Sequence, residues 1–583
     1  MQRRKPASAK QKKAQLQQKR AIKRGDVSPP PPPSKSDKRR KGRGKGPIAE
    51  LDPLQPGPSG RAIAATESSR RLQSYFVKLP KEFLEETKRL AANLSLPRPV
   101  PPEAAVWNDA IDDGLQDKDA EGKHEQLSCP RRPKWRYEMS KKEVEKNEEG
   151  LFKKWLDQTD SLIGNWCAPE VKQPATAESN EEPTTPEPEE MPRAPTSFER
   201  NLEVWRQLWR VTEISQILLI LLDSRCPLLH YPPSLASYLA APAHSRKRTI
   251  LVLTKVDIAG PVRAEAWSRY LQAQHPHVRV VQVESYAEKP GTVNGKQAFQ
   301  PHLPSAFRQT LVDALKDTHA ELLEPPERIR HVLEKVKTWK PPVRRDVDWD
   351  ALLHARGGQV GSVVGGAANP KHKDSGPRSE EHADADADHN EDQEDEEAEF
   401  LTIGLIGQPN VGKSSLLNAL FGTQKLRASR TPGKTKHFQT LFWTPDVRLV
   451  DCPGLVMPNF VPMETQVLAG ILPISRVSAV PLCIHHAASL LPVEIILGLT
   501  HPTLSQPQAA DKRTWRTPRA EADKGKKAET WTALDILTAF ALKKGWVTAK
   551  AGRPDMNRAG NFSEWTGICE TDVNGLLSSS AIV

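Results

Sequence analysis

Apolar residues in the second half of the chain occur in short runs, separated by longer segments of mixed polarity. The clearest runs are residues 217–222, 249–253, 278–283 and 400–406. Runs of this length are typical of strands that are buried on both faces. Because longer connections separate them, the pattern predicts an α/β fold built on a parallel sheet.

Helical spacing of apolar residues is seen just before the first run, at 198–210, and a further helix is predicted near residues 80–94. In the Lys/Glu-rich segment near 131–155, tryptophans are expected to anchor packing. Together with the proline-rich and acidic stretches, these features divide the chain into a disordered basic and proline-rich region (1–128), a helical segment with a linker (129–197), the main α/β domain (198–460) with an acidic disordered insertion at 357–399, a helical region (461–561) and an unstructured tail (562–583).

The composition supports extensive disorder and a polyanionic partner. Hydrophobic residues make up only 37% of the 583 residues, and proline occurs 52 times. Segments of this kind bury too little apolar surface to offset the entropy lost on ordering. The net charge is +11, with basic clusters concentrated in residues 1–46. These clusters predict contact with RNA, a nuclear localisation signal, or both.

Cysteine spacing and the length of the apolar runs argue against several protein classes. The six cysteines form no CxxC pair and no Cys/His metal spacing, which favours a reduced intracellular compartment. No stretch approaches the roughly 18 apolar residues of a membrane-spanning helix, and the basic N-terminus has no apolar segment behind it. We therefore expect a soluble, internal protein with no membrane partner and no DNA specificity.

A phosphate-binding loop follows the run at 400–406. Residues 407–414 match the pattern GxxxxGK[ST], and a helical run starts at Ser415. In this order of strand, loop and helix, backbone N–H groups surround the phosphates, the lysine reaches the β and γ oxygens, and the hydroxyl ligates Mg²⁺. The residues predicted to bind the phosphates are Asn410, Val411, Gly412, Lys413, Ser414 and Ser415.

Two downstream segments complete the predicted phosphate and magnesium site. The strand predicted at 448–450 ends in a DxxG sequence, in which Asp451 is expected to hold the Mg²⁺ shell through water and Gly454 to offer its N–H to the γ-phosphate. Before that strand, Thr431 and Thr435 flank a Pro-Gly turn. Either threonine could close over Mg²⁺ when GTP is bound, and Thr435 is favoured. Lys413, Thr435 and Gly454 are the predicted catalytic residues.

The residues predicted to select the base lie upstream of the phosphate loop. The run at 249–253 leads into Thr254-Lys255-Val256-Asp257, a [NT]KxD sequence. Asp257 can accept hydrogen bonds from guanine N1 and N2, and the Lys255 stem can cover one face of the ring. Adenine lacks that pair of donors and would leave the carboxylate unpaired. After the run at 278–283, a backbone N–H near Ser285 is expected to reach guanine O6.

The motifs therefore occur in the order base, phosphate, magnesium, whereas an ordinary G domain begins with the phosphate motif. A doubly wound sheet tolerates such a rotation if the usual termini lie close together. With these motifs the chain resembles the circularly permuted GTPases of the HSR/MMR group. The resemblance extends to a DARxP-like sequence at 223–227 and to further segments at 5–13, 131–135 and 205–210. The resemblance implies a circularly permuted P-loop G domain with a doubly wound sheet and a C-terminal helical region.

The resemblance also implies a function. A member of this group uses GTP/GDP with Mg²⁺ as a switch in ribosome biogenesis, and would contact a pre-ribosomal particle or rRNA through its basic N-terminus and C-terminal region. It implies residence in the nucleus or nucleolus, with the cytoplasm as the alternative. Asn410 stands where related G domains bind K⁺, which makes K⁺ activation a hypothesis.

Some positions depart from the family pattern. Leu455 occupies the place of the water-orienting Gln, so slow hydrolysis is expected. Thr254 replaces the commoner Asn, which predicts a looser tie between the base loop and the phosphate loop, and Tyr286 replaces a small residue. Residues 552–561 resemble the C-terminal helical motif of the family, but the sequence of 562–583 does not have the pattern of the helix that should follow it. The alternative function is a GTP-dependent RNA- or ribosome-binding placeholder with little or no turnover. A basic scaffold with a decayed nucleotide site is disfavoured, because the key side chains are present: Lys413, Ser414, Asp451 and Asp257.

Overall fold

The computed structural model describes residue 72 and the ranges 74–101, 127–136, 138–167, 189–241, 247–293, 296–326, 330–331, 336–337, 339–355, 360–361, 399–426, 437–505, 530–548 and 552–561. All of these residues lie in the second of the chain's two units, Ala65–Val583. The basic clusters at 1–46 and the tail at 562–583 lie outside the described residues.

A seven-stranded sheet lies at the centre of the described structure, in the order β3-β2-β1-β7-β9-β8-β6. Strands β3, β2, β1, β7 and β9 are parallel, β8 is antiparallel to β9, and β6 is antiparallel to β8. The strands are β1 (Ile217–Asp223), β2 (Arg248–Thr254), β3 (Arg279–Gln282), β6 (Val360–Gly361), β7 (Leu401–Ile406), β8 (Gln439–Phe442) and β9 (Val447–Asp451), with a separate hairpin of β4 (Tyr286–Val293) and β5 (Lys296–Pro301).

The helices of the described residues cover the sheet and continue beyond it. In chain order they are α1 (Lys81–Asn93), α2 (Lys141–Cys167), α3 (Leu202–Ile214), α4 (Pro227–His230), α5 (Pro233–Leu239), α6 (Val256–Ala259), α7 (Pro261–Gln274), α8 (Ser305–Leu323), α9 (Trp349–His354), α10 (Lys413–Phe421), α11 (Met463–Leu468), α12 (Val480–Leu490), α13 (Val493–Ile496), α14 (Pro502–Ser505), α15 (Ala533–Lys543) and α16 (Met556–Gly560). None of the described helices is both long and apolar enough to cross a membrane.

The prediction of an α/β fold with a parallel sheet is confirmed. Each apolar run that was predicted to be a strand forms one, and the helix expected near residues 80–94 is α1. The hairpin β4–β5 was not predicted, because its strands mix Glu, Lys, Gln and Pro with few apolar residues. The Asn294-Gly295 dipeptide is the hairpin signal that the sequence contains. Two residues of the stretch predicted as a disordered insertion at 357–399, Val360–Gly361, form the edge strand β6.

Strand β1 joins the two halves of the sheet. It pairs in parallel with β2 on one side and with β7 on the other, with Ile217 opposite both Arg248 and Ile403. The base-motif strands, β1 to β3, therefore lie beside the phosphate-motif strands, β7 and β9, although Asp223 and Phe400 are 177 positions apart in the sequence. The carboxyl ends of these parallel strands meet at one edge, as a circularly permuted G domain requires.

Alternate residues of β1 enter the cores on opposite faces of the sheet. Ile217, Leu219 and Leu221 lie in one buried cluster with residues of α8 and α10. Leu218, Ile220 and Leu222 lie in the other, with residues of α3 and α5. A strand buried on both faces needs apolar residues at every position, which explains the continuous run in β1.

A third buried cluster holds the helical region that follows the sheet. It is formed by α11, α12 and α15 together with α1 from the N-terminal side, and includes Ala91, Leu96, Leu482, Ile536 and Phe540. The guanidinium of Arg98 also forms an ion pair with the buried carboxylate of Glu494. The segment near residues 80–98 is therefore part of the folded structure and packs against the C-terminal helices.

Tryptophans anchor the N-terminal helices to the sheet, as expected. Trp205 on α3 is fully buried, its ring packs edge-on against Trp155 of α2, and its indole N–H donates to the carbonyl of Glu199 at 2.9 Å. Helix α2 is therefore attached through aromatic packing to α3, which lies on one face of the sheet.

We predict that Trp205→Ala lowers the free energy of unfolding by about 3–5 kcal/mol, because truncating a buried aromatic residue leaves a cavity. Chemical denaturation measures the change, with Leu151→Ala as the control, since Leu151 is largely exposed on α2. Equal losses in the two variants would contradict the packing described for Trp205.

Candidate nucleotide-binding site

The loop between β7 and α10 has the conformation of a phosphate-binding loop. Asn410 and Gly412 adopt left-handed backbone angles, with φ of 62° and 103°. A side chain at Gly407 would place its Cβ 2.8 Å from the carbonyl oxygen of Leu221, so this position requires glycine. The first bond of the helical ladder is donated by Leu416 to Gly412. The N–H groups of residues 413–415 therefore precede the ladder and are available to an anion.

Lys413 lies inside this loop. Its side chain is only 7% exposed, and its Nζ donates to the carbonyl oxygens of Gly407 and Gln408, each at 2.7 Å. Burial lowers the pKa of Lys413 to about 8, although the carboxylate of Asp451 acts in the opposite direction. The amine is thus held over the loop, close to the carboxylate of Asp451.

Asp451, at the end of β9, supplies this carboxylate. The Oγ of Ser414 lies 3.4 Å from its Oδ2, whereas Oδ1 has no hydrogen-bond partner among the described residues. Burial raises the pKa of Asp451 to about 6, and the charge of Lys413 counteracts the rise. A buried carboxylate with an unpaired oxygen beside a hydroxyl provides the hard oxygen donors that Mg²⁺ prefers, so these residues fit that ion.

Gly454 brings the DxxG segment against the phosphate loop. A Cβ at this position would lie 2.9 Å from the Cα of Pro409 and 3.3 Å from the Nζ of Lys413. Only glycine permits such a close approach of two backbones. The next side chain, Leu455, is fully buried in the cluster that contains Val450 and Met457. It therefore points into the core and holds the backbone of the segment in place.

The base loop after β2 is bonded directly to the phosphate loop. The Oγ1 of Thr254 lies 3.0 Å from the carbonyl oxygen of Leu222 and 2.5 Å from that of Val411. The tie that Thr254 was expected to loosen is therefore present in this chain as a direct contact of its hydroxyl. A Cβ at Gly412 would lie 3.7 Å from Thr254, which is an ordinary van der Waals distance, so the two loops also lie in close contact at this point.

Lys255 and Asp223 form an ion pair beside this loop. Lys255 has a left-handed φ of 57°, and its Nζ lies 2.7 Å from Oδ2 of Asp223, which also pairs with Arg225 at 2.6 Å. Burial alone would raise the pKa of Asp223, but Lys255 and Arg225 hold it well below its usual range. Asp223 thus fixes the head of the Lys255 side chain, and with it the direction of the stem.

The two other predicted guanine contacts lie at the same edge of the sheet. Asp257 is exposed in the first turn of α6, directly after β2. Ser285 follows β3, is 7% exposed, and its carbonyl oxygen accepts a hydrogen bond from the N–H of His302 at 3.1 Å. The structure therefore places both residues beyond the carboxyl ends of adjacent parallel strands.

The side chain of Asn410 connects the phosphate loop to the helical region. Its Nδ2 donates to the carbonyl oxygen of Gly470, 2.8 Å away, just after α11. The two threonines predicted to close over Mg²⁺, Thr431 and Thr435, lie outside the described residues.

Several buried polar residues at this edge were not predicted as part of the site. Asp223 and Arg225 belong to the DARxP-like sequence, and their signal was the position of Asp223 at the end of a strand. His230 on α4 is 1% exposed, and neither of its ring nitrogens has a partner in the part of the chain that the structure describes. Burial lowers the pKa of His230 to about 3, so the ring is neutral at physiological pH. Next to it, the carbonyl oxygen of Leu229 accepts a hydrogen bond from the Gln408 side chain at 2.7 Å.

Comparison with known proteins places these observations in context. Residues 402–496 match the MMR_HSR1 family, described as 50S ribosome-binding GTPase. The chain is 33% identical over 463 residues to guanine nucleotide-binding protein-like 1 of Homo sapiens, an alignment that covers 78% of this chain and 64% of that protein. This chain thus spans less than two thirds of that relative's length.

Two other similarities were found. The chain is 28% identical over 507 residues to Large subunit GTPase 1 homolog of Bos taurus, covering 82% of this chain and 70% of that protein. A crystal structure of GNP-bound YlqF from T. maritima is 16% identical, covers 65% of this chain and 95% of that one, and gives a TM-score of 0.29.

We predict that Thr254→Val lowers the free energy of unfolding by about 1–3 kcal/mol, because the shape is kept while the buried hydrogen bond to Val411 is lost. Thr254→Ser, which retains the hydroxyl, is the matched control. Urea denaturation of both variants measures the difference. Equal stability of the Val and Ser variants would show that the hydroxyl does not tie the two loops together.

Proposed function

We propose that this chain is a circularly permuted GTPase of the MMR_HSR1 type, which binds GTP and GDP at the candidate site and hydrolyses GTP slowly as a molecular switch. One observation carries the proposal. The base loop and the phosphate loop come from distant parts of the chain, yet Thr254 bonds one directly to the other. In a nucleotide the base and the phosphates are covalently joined, so a site in which the base loop and the phosphate loop are held together can bind both parts of one nucleotide.

The phosphate end of the site supports binding of a triphosphate with Mg²⁺. Lys413 would contact the β and γ oxygens, Gly412 and Ser415 would offer backbone N–H groups, and Gly454 would sense the γ-phosphate. Ser414, Asp451 and, from the undescribed segment, Thr435 would surround Mg²⁺. When bound, that ion neutralises charge that develops on the phosphate oxygens.

The base end supports guanine rather than adenine. Asp257 presents an exposed carboxylate directly after β2. Thr254 and Lys255 hold the backbone that precedes it, and Ser285 lies beyond the end of the neighbouring strand β3. Guanine N1 and N2 donate to a carboxylate as a pair, whereas adenine would leave it unpaired. Loss of such a pair costs enough to exclude ATP.

Leu455 supports slow hydrolysis. It stands directly after DxxG, and its side chain is buried in the core, where it cannot orient a water molecule. Without a water-orienting residue, chemistry depends on the positioning of Lys413 and Mg²⁺, or on a group supplied by a partner. This same observation favours the second candidate function, a GTP-dependent placeholder on RNA or the ribosome with little or no turnover.

Association with a pre-ribosomal particle or rRNA is the proposed context. The supports are the basic clusters in residues 1–46, the family description as ribosome-binding, and the relative named Large subunit GTPase 1 homolog. The N-terminus and the C-terminal helical region would make the contact, in the nucleus or nucleolus, with the cytoplasm as the alternative.

The segment after Gly454 would carry the nucleotide state to that region. Residues 455–467 are buried, and the N–H of Glu199 donates to the carbonyl of Val456 at 2.9 Å. Gln466 on α11 bonds both Thr196 and Ser197. Movement of Gly454 with the γ-phosphate would thus be passed to α11 and to the segment 196–199.

We predict that Asp257→Asn weakens GDP binding by about 10- to 100-fold, because charged hydrogen bonds to guanine are lost. The variant should gain affinity for xanthosine diphosphate, whose carbonyl at C2 can accept from the new amide. Titration of the full chain with fluorescent GDP, competed by GTP, ATP and xanthosine diphosphate, measures both effects.

Asp313→Asn, an exposed carboxylate on α8, is the matched control and should bind GDP as the wild type does. Unchanged GDP affinity in Asp257→Asn, or equal competition by ATP and GTP, would contradict guanine recognition at Asp257.

Single-turnover hydrolysis separates the two candidate functions. We predict a slow intrinsic rate, on the order of 10⁻⁴ s⁻¹ as in G domains without an arginine finger, and a faster rate in KCl than in NaCl if Asn410 contributes to a K⁺ site. Lys413→Ala provides the background. A wild-type rate equal to that of Lys413→Ala would favour the placeholder, and equal rates in the two salts would remove K⁺ from the mechanism.

A further inference from the structure

The chain that leaves β3 is attached to the phosphate-binding helix by a side chain. The hydroxyl of Tyr286, the first residue of β4, lies 3.1 Å from the hydroxyl of Ser415 on α10. Tyr286 directly follows Ser285, the residue whose backbone is the proposed contact to guanine O6. Ser415 directly follows Ser414 in the first turn of α10, within the proposed phosphate subsite.

The base of the hairpin β4–β5 lies at Ser285 and Tyr286. Tyr286 pairs with Pro301 at the base of the hairpin, and the carbonyl of Ser285 accepts the N–H of His302 at 3.1 Å. Strand β5 also lies against α10. The backbone at Ser285 is therefore held from the hairpin side, while the Tyr286 ring extends to the helix that begins at the phosphate loop.

We propose that Tyr286 is a positioning residue of the nucleotide site, whose hydrogen bond to Ser415 holds the base-reading loop at Ser285 at a fixed separation from the phosphate subsite. This inference rests on the proposed function, because it concerns the binding of a guanine nucleotide.

A fixed separation matters only to a ligand that spans both subsites. GDP contacts the base loop and the phosphate loop at once, so it benefits when the two loops are already ordered relative to each other. Guanosine contacts the base subsite without phosphates, and gains nothing from the position of Ser415. This difference distinguishes coupling of the subsites from simple support of the base loop.

A double-mutant cycle in the full chain tests the inference. Tyr286→Phe removes the hydroxyl and keeps the ring, and Ser415→Ala removes its partner. We expect Tyr286→Phe to weaken GDP binding by about 3- to 10-fold, the range set by one lost hydrogen bond. In the Ser415→Ala background the same change should have no further effect, and guanosine affinity should change less than about 2-fold.

Tyr270→Phe is the matched control, since Tyr270 is an exposed tyrosine on α7 and its loss should leave GDP binding unchanged. Additive losses in the cycle, or an equal loss for guanosine and GDP, would overturn the inference. Thermal unfolding of the same four proteins without nucleotide measures the Tyr286–Ser415 bond itself. If the wild type bound no guanine nucleotide, the proposed function would fail, whereas additive effects on unfolding would refute the bond.

Discussion

The parallel pairing of β1 with β7 is the constraint on which the rest of the structure depends. It places the carboxyl ends of β1, β2, β7 and β9 at one edge, where the base loop and the phosphate loop meet. β1 can sit at this junction because all seven of its residues are buried, so that it forms a core on each face of the sheet. Hydrophobic burial along one strand thus assembles a polar site from two distant parts of the chain.

Polar contacts then fix the two halves of the site relative to each other. Thr254 bonds the base loop to Val411, Asp223 holds Lys255, and Gly454 lets the DxxG backbone lie against Pro409. The permutation also places the helical region directly after Gly454. The segment that is expected to respond to the γ-phosphate therefore leads into α11, and Asn410 adds a second connection from the phosphate loop to Gly470.

Much of this arrangement could be predicted from the sequence. Apolar residues run without interruption through most of β1 and β2 and predominate in β7 and β9. Each motif follows directly at a strand end, so the topology of the sheet brings the motifs together. The contacts that cross between halves could not be predicted, because they depend on side-chain reach. Thr254 was expected to loosen the link between the base loop and the phosphate loop, yet its hydroxyl makes that link. The hydrogen bond between Tyr286 and Ser415 depends on the hairpin β4–β5, whose strands contain few apolar residues.

The most direct test of the permuted site is a crystal structure of the chain with GDP and Mg²⁺. The arrangement described for the two loops predicts guanine with its N1 and N2 edge on Asp257 and the phosphates on the backbone of residues 410–415, beside Lys413. A nucleotide whose base lay away from Asp257 while its phosphates occupied the loop would contradict the claim that the two halves of this chain form one guanine nucleotide site.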